Sequence, residues 1–361
     1  MKIVLVVTGL GMGGAERQVC DLADEFATLG HEVILISMTG VPVNRPMSNV
    51  VEIVSLNMKK TLLGFIYSYV NASQIIKKFK PDVVHSHMIH ANIFTRLLRL
   101  AIKFPKLICS AHSSNEGGRG RMLAYRLTDG LCDLSTNVSH EAVDISVLRG
   151  AMPAHRIVAM QNGIDITRYS YNPASRDRIR EELGIASDTL LLLAVGRLTK
   201  AKDYPNLLRA FSILPTEFGL AQLVIIGSGE EELVLKQLAK DLDVSSRTHF
   251  LGLRRDVGDW MSAADIYVMS SAWEGMPLVL LEAMACQRVV VATDCGGVKE
   301  VIGDVGILVP PKDSAALAKG LVQGLELSTE ESCARGRLAR QRVNECYSLS
   351  AQASRWLALY K

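Results

Sequence analysis

The chain of 361 residues has no run approaching the roughly 18 uninterrupted apolar residues that a membrane-spanning helix requires. Its first residues, Met1 to Gly9, are apolar only briefly before glycines intervene, too short for a signal-peptide core. These absences predict a cytoplasmic protein whose contact with a membrane is peripheral. Aromatics are only 6% of the residues, few of them interleave with the arginines, and no nucleic-acid-binding motif occurs. A nucleic-acid partner is therefore disfavoured. The seven cysteines (Cys20, Cys109, Cys132, Cys286, Cys295, Cys333, Cys346) are scattered and odd in number. None is spaced as a zinc knuckle or a C-x-x-C redox pair, which points to free thiols in a reducing compartment.

What is present is apolar content. Hydrophobic residues make up 48% and charged residues 21%, and the length suits two domains with sizeable cores. In the first half short β-branched runs alternate with amphipathic segments. Strands are predicted at Ile3–Val7, His31–Ser37, Val50–Ser55, Asp82–His85, Lys106–Ser110 and Ile157–Met160. The second half repeats the pattern at Leu190–Val195, Leu223–Ile226, Asp265–Met269 and Val289–Ala292, and Ala315–Tyr360 reads helical throughout. Strands apolar on both faces, alternating with helices, imply an α/β protein with doubly wound parallel sheets. The halves meet near Gly163–Ser175, a stretch of turn residues containing Asn172-Pro173. A ligand is expected in the cleft between them, at strand carboxyl ends.

Three segments carry candidate chemistry. After the first strand comes Gly9-Leu10-Gly11-Met12-Gly13-Gly14-Ala15-Glu16, where glycines either make the turn or let a ligand approach a helix start. A dinucleotide site would also need an acid ending the second strand; Ser37-Met38-Thr39-Gly40 stands there, which disfavours a nicotinamide enzyme. After Val195 comes Gly196-Arg197-Leu198-Thr199-Lys200-Ala201-Lys202, where Arg197 and Lys202 suit a diphosphate whose charge grows as it leaves. After Met269, the segment Ser270 to Ala285 places Glu274 in a turn and Glu282 two helical turns beyond it, past Pro277. A carboxylate accepts two hydrogen bonds and so suits a vicinal diol; among apolar neighbours it also needs a partner of some kind. Asp241-Leu242-Asp243 fits a D-x-D string but sits at a helix end, and it reads as solvated.

Over nearly its whole length the chain resembles the retaining glycosyltransferases of family 4. The resemblance rests on Gly13-Gly14-Ala15-Glu16, Asn162-Gly163-Ile164-Asp165, Gly196-Arg197 with Lys202, Glu274-x7-Glu282, and Asp294-Cys295-Gly296-Gly297 with Glu300. It implies the GT-B fold: an acceptor-binding Rossmann-like domain at 1–165, a donor-binding one at 166–345, and a terminal helix at about 346–361 packing back on the first. It further implies that Arg197 and Lys202 hold the donor diphosphate. Glu282 would take the ribose hydroxyls, and Glu274 those of the donor sugar. Backbone N–H groups around the helix start at Met276, Pro277 and Leu278, the proline itself having none to give, would help cradle the phosphate. Arg255 or Asp256 would contact the base, and Gly13 and Gly14 the phosphate or acceptor. His112 would lie near the reacting sugar carbon. His85, His87 and His90 match the family's strand-to-helix stretch rather than a zinc site. No metal and no cofactor are implied beyond the nucleotide-sugar donor, whose most frequent nucleotide in the family is UDP. The mechanism implied keeps the anomeric configuration, with the leaving diphosphate helping to deprotonate the acceptor.

Between Lys59 and Arg126 twelve Lys and Arg face two acids, Asp82 and Glu116, although the whole chain carries only +3. The asymmetry suggests an anionic partner for the first half. Interspersed apolar groups such as Leu62, Leu63, Phe65, Ile66 and Tyr67 suit a helix lying on the anionic inner face of the plasma membrane. The expectation is a hexosyl or N-acetylhexosaminyl transfer onto a polyprenyl-diphosphate-linked or other glycan acceptor in surface polysaccharide or O-antigen assembly. Two other readings stand beside it, a sugar-nucleotide epimerase of the same architecture and a non-catalytic nucleotide-sugar binding protein.

Overall fold

The computed structural model describes residues 1–113 and 117–361; Ser114, Asn115 and Glu116, the last an acid of the basic stretch, lie outside the described residues. The chain divides into two compact units, Met1–Ile164 with Leu349–Lys361 as unit 1, and Asp165–Ser348 as unit 2.

Unit 1 begins with β1 (Lys2–Gly9), α1 (Gly14–Thr28), β2 (Glu32–Thr39), β3 (Glu52–Ser55), α2 (Leu62–Phe79) and β4 (Val83–His87). It continues through α3 (Ile89–Ala101), β5 (Lys106–Ser110), α4 (Arg119–Thr128), β6 (Leu134–Asn137), α5 (His140–Leu148) and β7 (Ile157–Ala159). The seven strands form one parallel sheet in the order β3-β2-β1-β4-β5-β6-β7. Side chains alternate across a strand, so β1 feeds two cores. Ile3, Leu5 and Val7 pack with Val19, Leu22 and Phe26 of α1, whereas Val4 and Val6 pack with Ala72 and Ile76 of α2 and Phe94 and Leu98 of α3. A strand covered on both faces has no polar side, which is why its sequence reads as one apolar run.

Unit 2 runs α6 (Pro173–Glu182), β8 (Leu191–Val195), α7 (Tyr204–Ser212), β9 (Gln222–Ile226), α8 (Glu232–Asp241) and β10 (Thr248–Phe250). It goes on through α9 (Val257–Ala263), β11 (Ile266–Met269), α10 (Leu278–Ala285), β12 (Val289–Thr293), α11 (Val298–Ile302) and β13 (Ile307–Val309). Its parallel sheet has the order β10-β9-β8-β11-β12-β13. Leu192, Ala194, Ile225 and Val268 share one core with Leu207 and Phe211 of α7 and Leu317 and Leu321 of α12 (Ser314–Leu325).

The terminal helical stretch is three helices rather than one, α12, α13 (Thr329–Tyr347) and α14 (Leu349–Tyr360). Ser328 ends the first run and starts the next: its hydroxyl accepts from Glu331 N–H while the Glu331 carboxylate accepts from Ser328 N–H. α14 belongs to unit 1, where Leu349, Ala353, Trp356 and Tyr360 recur at helical spacing and join the core beside α1.

Three strands go unpredicted by the sequence pattern: β6, β10 and β13. All are three or four residues long, and β6 carries Ser135 and Thr136 where an apolar run would be expected.

Candidate functional site

In unit 2 the strand order reverses between β8 and β11, from which the chain crosses to opposite sides of the sheet. Loops leaving such a pair diverge and open a crevice at the strands' carboxyl ends. Both strongest sequence segments lie there. The Lys202 ammonium stands 2.6 Å from Glu274 Oε1, and the Ser271 hydroxyl donates to the same oxygen at 2.6 Å. The two charged side chains retain 20% and 13% of their exposure, a half-dry setting where an ion pair is screened less than on the surface. The backbone locks the two loops together. Ala272 N–H donates to Ala201 O at 2.8 Å, and Ser270 Oγ donates to Lys202 O at 2.8 Å. Asp203 takes a left-handed conformation, φ +46°, to turn the chain into α7.

Glycines make this junction sterically feasible. A Cβ on Gly196 would lie 3.0 Å from Lys202 Cε, so its absence lets the lysine cross the backbone. Gly296, at φ +58°, brings the Asp294–Gly297 turn onto the Glu274 turn, where a Cβ would meet Glu274 O at 2.2 Å. Gly297 N–H closes that contact on Gly275 O at 2.8 Å.

Behind the crevice sit two buried phenols that sequence reasoning missed. Tyr204 donates to Gly196 O at 3.2 Å, and the Tyr267 hydroxyl has no hydrogen-bond partner among the described residues. Burial, aided by the Glu274 charge, pushes the Tyr204 phenol above its ordinary range. Burial likewise raises Tyr267, with further push from Tyr204, Glu282 and Glu274. Both carboxylates of the E-x7-E segment thus help to raise the one buried phenol of Tyr267 on β11. Glu282 itself is half-buried on α10, flanked by the buried Leu281 and Ala283.

The remaining predicted residues of this unit are placed as follows. Arg197 is exposed on the Lys202 loop and makes no ion pair among the described residues. Met276, Pro277 and Leu278 are buried at the start of α10, with Pro277 as its cap. Arg255 is exposed, while Asp256 caps α9 and is held by Arg254 at 2.7 and 2.9 Å. That hydrogen-bonded pair keeps the Asp256 carboxyl below the usual carboxylate range.

In unit 1 the sheet order reverses between β1 and β4. Gly13 caps α1 and Gly14 begins it, and the Glu16 carboxylate folds over Gly13 so closely that a Cβ would lie 2.1 Å from it. At the ends of β4 and β5 is a buried polar cluster. His87 Nδ1 lies 3.0 Å from His112 Nε2. His85 bonds to Tyr360 Oη at 2.6 Å through Nδ1 and to Ser110 Oγ at 2.6 Å through Nε2, and Ser110 continues to Thr136 Oγ1 at 2.7 Å. Burial lowers the pKa of all three histidines, His112 to about 4, so each is neutral near pH 7. Of the partners here only His112 was assigned a role from sequence. Ser110, Thr136 and Tyr360 gave no signal, because only the sheet register and the return of α14 bring them together. Among the described residues no group of three or more His, Cys, Asp or Glu side chains is arranged to hold a metal ion.

Comparison with known proteins matches residues 12–168 to the family described as Glycosyltransferase Family 4, and residues 175–341 to Glycosyl transferases group 1. The chain is 26% identical to the N-acetyl-alpha-D-glucosaminyl L-malate synthase of Bacillus anthracis, over all of this chain and 97% of that protein. It is 26% identical to the lipopolysaccharide core biosynthesis glycosyltransferase LpsE of Rhizobium meliloti, over 91% of this chain and 89% of that one. Its fold matches that of Anabaena Alr3699/HepE in complex with UDP, with a TM-score of 0.85, 20% identity and 99% of each chain covered.

Proposed function

The chain belongs to the family 4 and group 1 glycosyltransferases, enzymes that draw on nucleotide sugars, and from that premise we propose that it transfers a hexose or N-acetylhexosamine, most readily from a UDP-sugar, to a lipid-linked or oligosaccharide acceptor in surface polysaccharide assembly. The observation that carries the reading is the Lys202–Glu274 junction at the reversal point of unit 2. A donor diphosphate gains negative charge as its bond to the anomeric carbon breaks. Lys202 is fixed by Glu274 and by its own backbone contacts, so its charge needs little reorganisation to meet that change. Arg197 adds a planar donor fork on the same loop. The Glu282 carboxylate accepts from the ribose diol, and the Glu274 carboxylate from hydroxyls of the transferred sugar.

With two side-chain cations present, the chemistry needs no metal. In the retaining step the bond from the anomeric carbon to the diphosphate breaks, the acceptor oxygen bonds to that carbon on the same face, and the acceptor proton passes to a diphosphate oxygen. His112, neutral near pH 7, serves as a hydrogen-bonding group for the sugar and not as an acid.

Among the described residues no helix is long and apolar enough to cross a membrane. Residues Leu62, Leu63, Ile66 and Tyr67 of α2 are nonetheless exposed, Leu63 at 80%, beside Lys59 and Lys60. This amphipathic face suits peripheral contact with an anionic bilayer, where a lipid-linked acceptor resides.

The test incubates purified protein with UDP-, GDP- and dTDP-sugars and a polyprenyl-diphosphate acceptor in chelator. Nucleotide release and product of retained configuration from one donor are expected. Strict dependence on added metal would remove the cation-only mechanism, and silence with every donor would favour a binding protein.

A further inference from the structure

Outside these residues, unit 1 carries a solvent-open groove of about 750 Å³ between the start of α4 and the end of α5. Arg119, Arg126 and Arg149 line it with Met122, Leu123 and Gly150, and no acidic side chain does among the described residues. Arg126 reaches across it, its Nη1 standing 4.0 Å from where a Cβ on Gly150 would be. These cations are held against local preference. The start of a helix carries partial positive charge and favours acids, yet the first turn of α4 holds Arg119 and Arg121 and no acid. Departures from a local rule of this kind are expected at functional or strained sites.

A smaller hollow, with room for about one water, shares Met122 and Arg149 with it and is lined further by Ala111 and Ser113, the two neighbours of His112. On the other side, Lys60 and Arg121 both act electrostatically on His90, which places the starts of α2, α3 and α4 along one basic edge. The same helices expose apolar residues, Leu62, Leu63, Ile66 and Tyr67 on α2 and Leu123 and Leu127 on α4. A ligand fitting this surface is anionic at one end and apolar at the other.

We propose that the groove binds the diphosphate of an isoprenoid-linked acceptor, its guanidiniums taking the charge and Met122 and Leu123 the adjoining isoprene units. This assignment rests on the transferase reading and adds the place of the acceptor's anionic end. Guanidinium forks match phosphate oxygens bidentately, and a water-open groove admits a ligand whose chain remains in a bilayer. A bilayer phospholipid headgroup presents the same phosphate chemistry, so the test separates the two sources.

Farnesyl diphosphate, inorganic pyrophosphate, and phosphatidylcholine vesicles containing phosphatidylglycerol are each titrated against the full chain by calorimetry. The unaltered protein is expected to bind farnesyl diphosphate more tightly than pyrophosphate. The exposed double variant R119A/R126A should weaken farnesyl diphosphate binding by about tenfold or more, since two charge-assisted contacts are lost. Lys319→Ala, which removes an exposed cation of α12, should not. Circular dichroism verifies that each variant is folded. Unchanged farnesyl diphosphate affinity in R119A/R126A overturns the assignment. So does loss of vesicle binding alone, which would give the arginines to bilayer headgroups. Nucleotide release by the unaltered protein is measured alongside. If it occurs while the variant binds normally, only the groove assignment falls; if it is absent with every donor, the transferase reading falls first.

Discussion

At the reversal point of unit 2 the fold holds charge, a lysine and a carboxylate 2.6 Å apart in a half-dry junction. At the strand ends of unit 1 it holds buried histidines kept neutral, linked to one another and to hydroxyls. Seven of the chain's eight histidines, all but His249, fall in unit 1. Two sheets of the same parallel design thus carry opposite electrostatics at matching topological positions. Under the transfer reading proposed above, the difference follows from what each would have to hold. A departing diphosphate needs fixed cations, whereas the hydroxyls of a sugar are met by neutral donors and acceptors, and a buried imidazolium without a partner would be costly.

The sharpest way to break the comparison is to remove the cation. Lys202→Ala is expected to lower transfer by about 100- to 1,000-fold, because a preorganised charge on the leaving group is lost. Steady-state nucleotide release from a folded variant checks this, and an undiminished rate would take the ion pair out of the reaction. Glu282→Gln keeps the shape but halves the accepting capacity, so KM for the donor should rise by about tenfold with a smaller change in kcat. A change confined to kcat would assign Glu282 to the reacting centre instead.

In unit 1 the effects should be milder. His87→Ala removes the group 3.0 Å from His112 Nε2 and is expected to cost several-fold, roughly three- to tenfold, in kcat at unchanged donor KM. His87→Asn, which can still hydrogen-bond to that nitrogen, should recover part of the loss; equal activity of all three proteins would leave His87 with packing alone.

The smallest effect sharpens the comparison through pH. His85, His87 and His112 have folded pKa values below their unfolded ones. The unfolded chain therefore takes up protons that the folded one refuses as pH falls below about 6.5. Stability is fully present above that pH and declines towards the folded values, about 4 for His112. Pulse proteolysis in urea at pH 7 and pH 5 should show unit 1 losing more stability than unit 2, where His249 alone among the histidines is present and lowered. Equal losses would end the electrostatic contrast.

The fold was legible where burial on both faces leaves a strand without polar positions. β1, β2, β5, β8, β9, β11 and β12 announced themselves in this way, and β4 through Val83 and Val84. β6 did not, because Ser135 and Thr136 replace apolar residues: Ser135 Oγ accepts from buried Arg96 at 2.9 Å and Thr136 meets Ser110. β10 and β13 span three residues each, too few for a period to emerge. The candidate site of unit 2 was legible because its residues follow apolar strands in short, glycine-marked loops. Tyr204 and Tyr267 were not, since a tyrosine near an apolar run reads as core until its buried hydroxyl is placed behind the site.

By itself, then, the sequence determined which residues end strands and which of those can bear charge, because strand periodicity and turn chemistry are local. Only the tertiary structure decided who meets whom. Lys202 and Glu274 are 72 residues apart and become partners because β8 and β11 are neighbours in the sheet. His85 and Tyr360 are 275 residues apart and meet because the apolar stripe of α14 is buried in unit 1. Pairing of that kind is set by strand order and by which core takes up a helix face, neither of which any local stretch of sequence encodes.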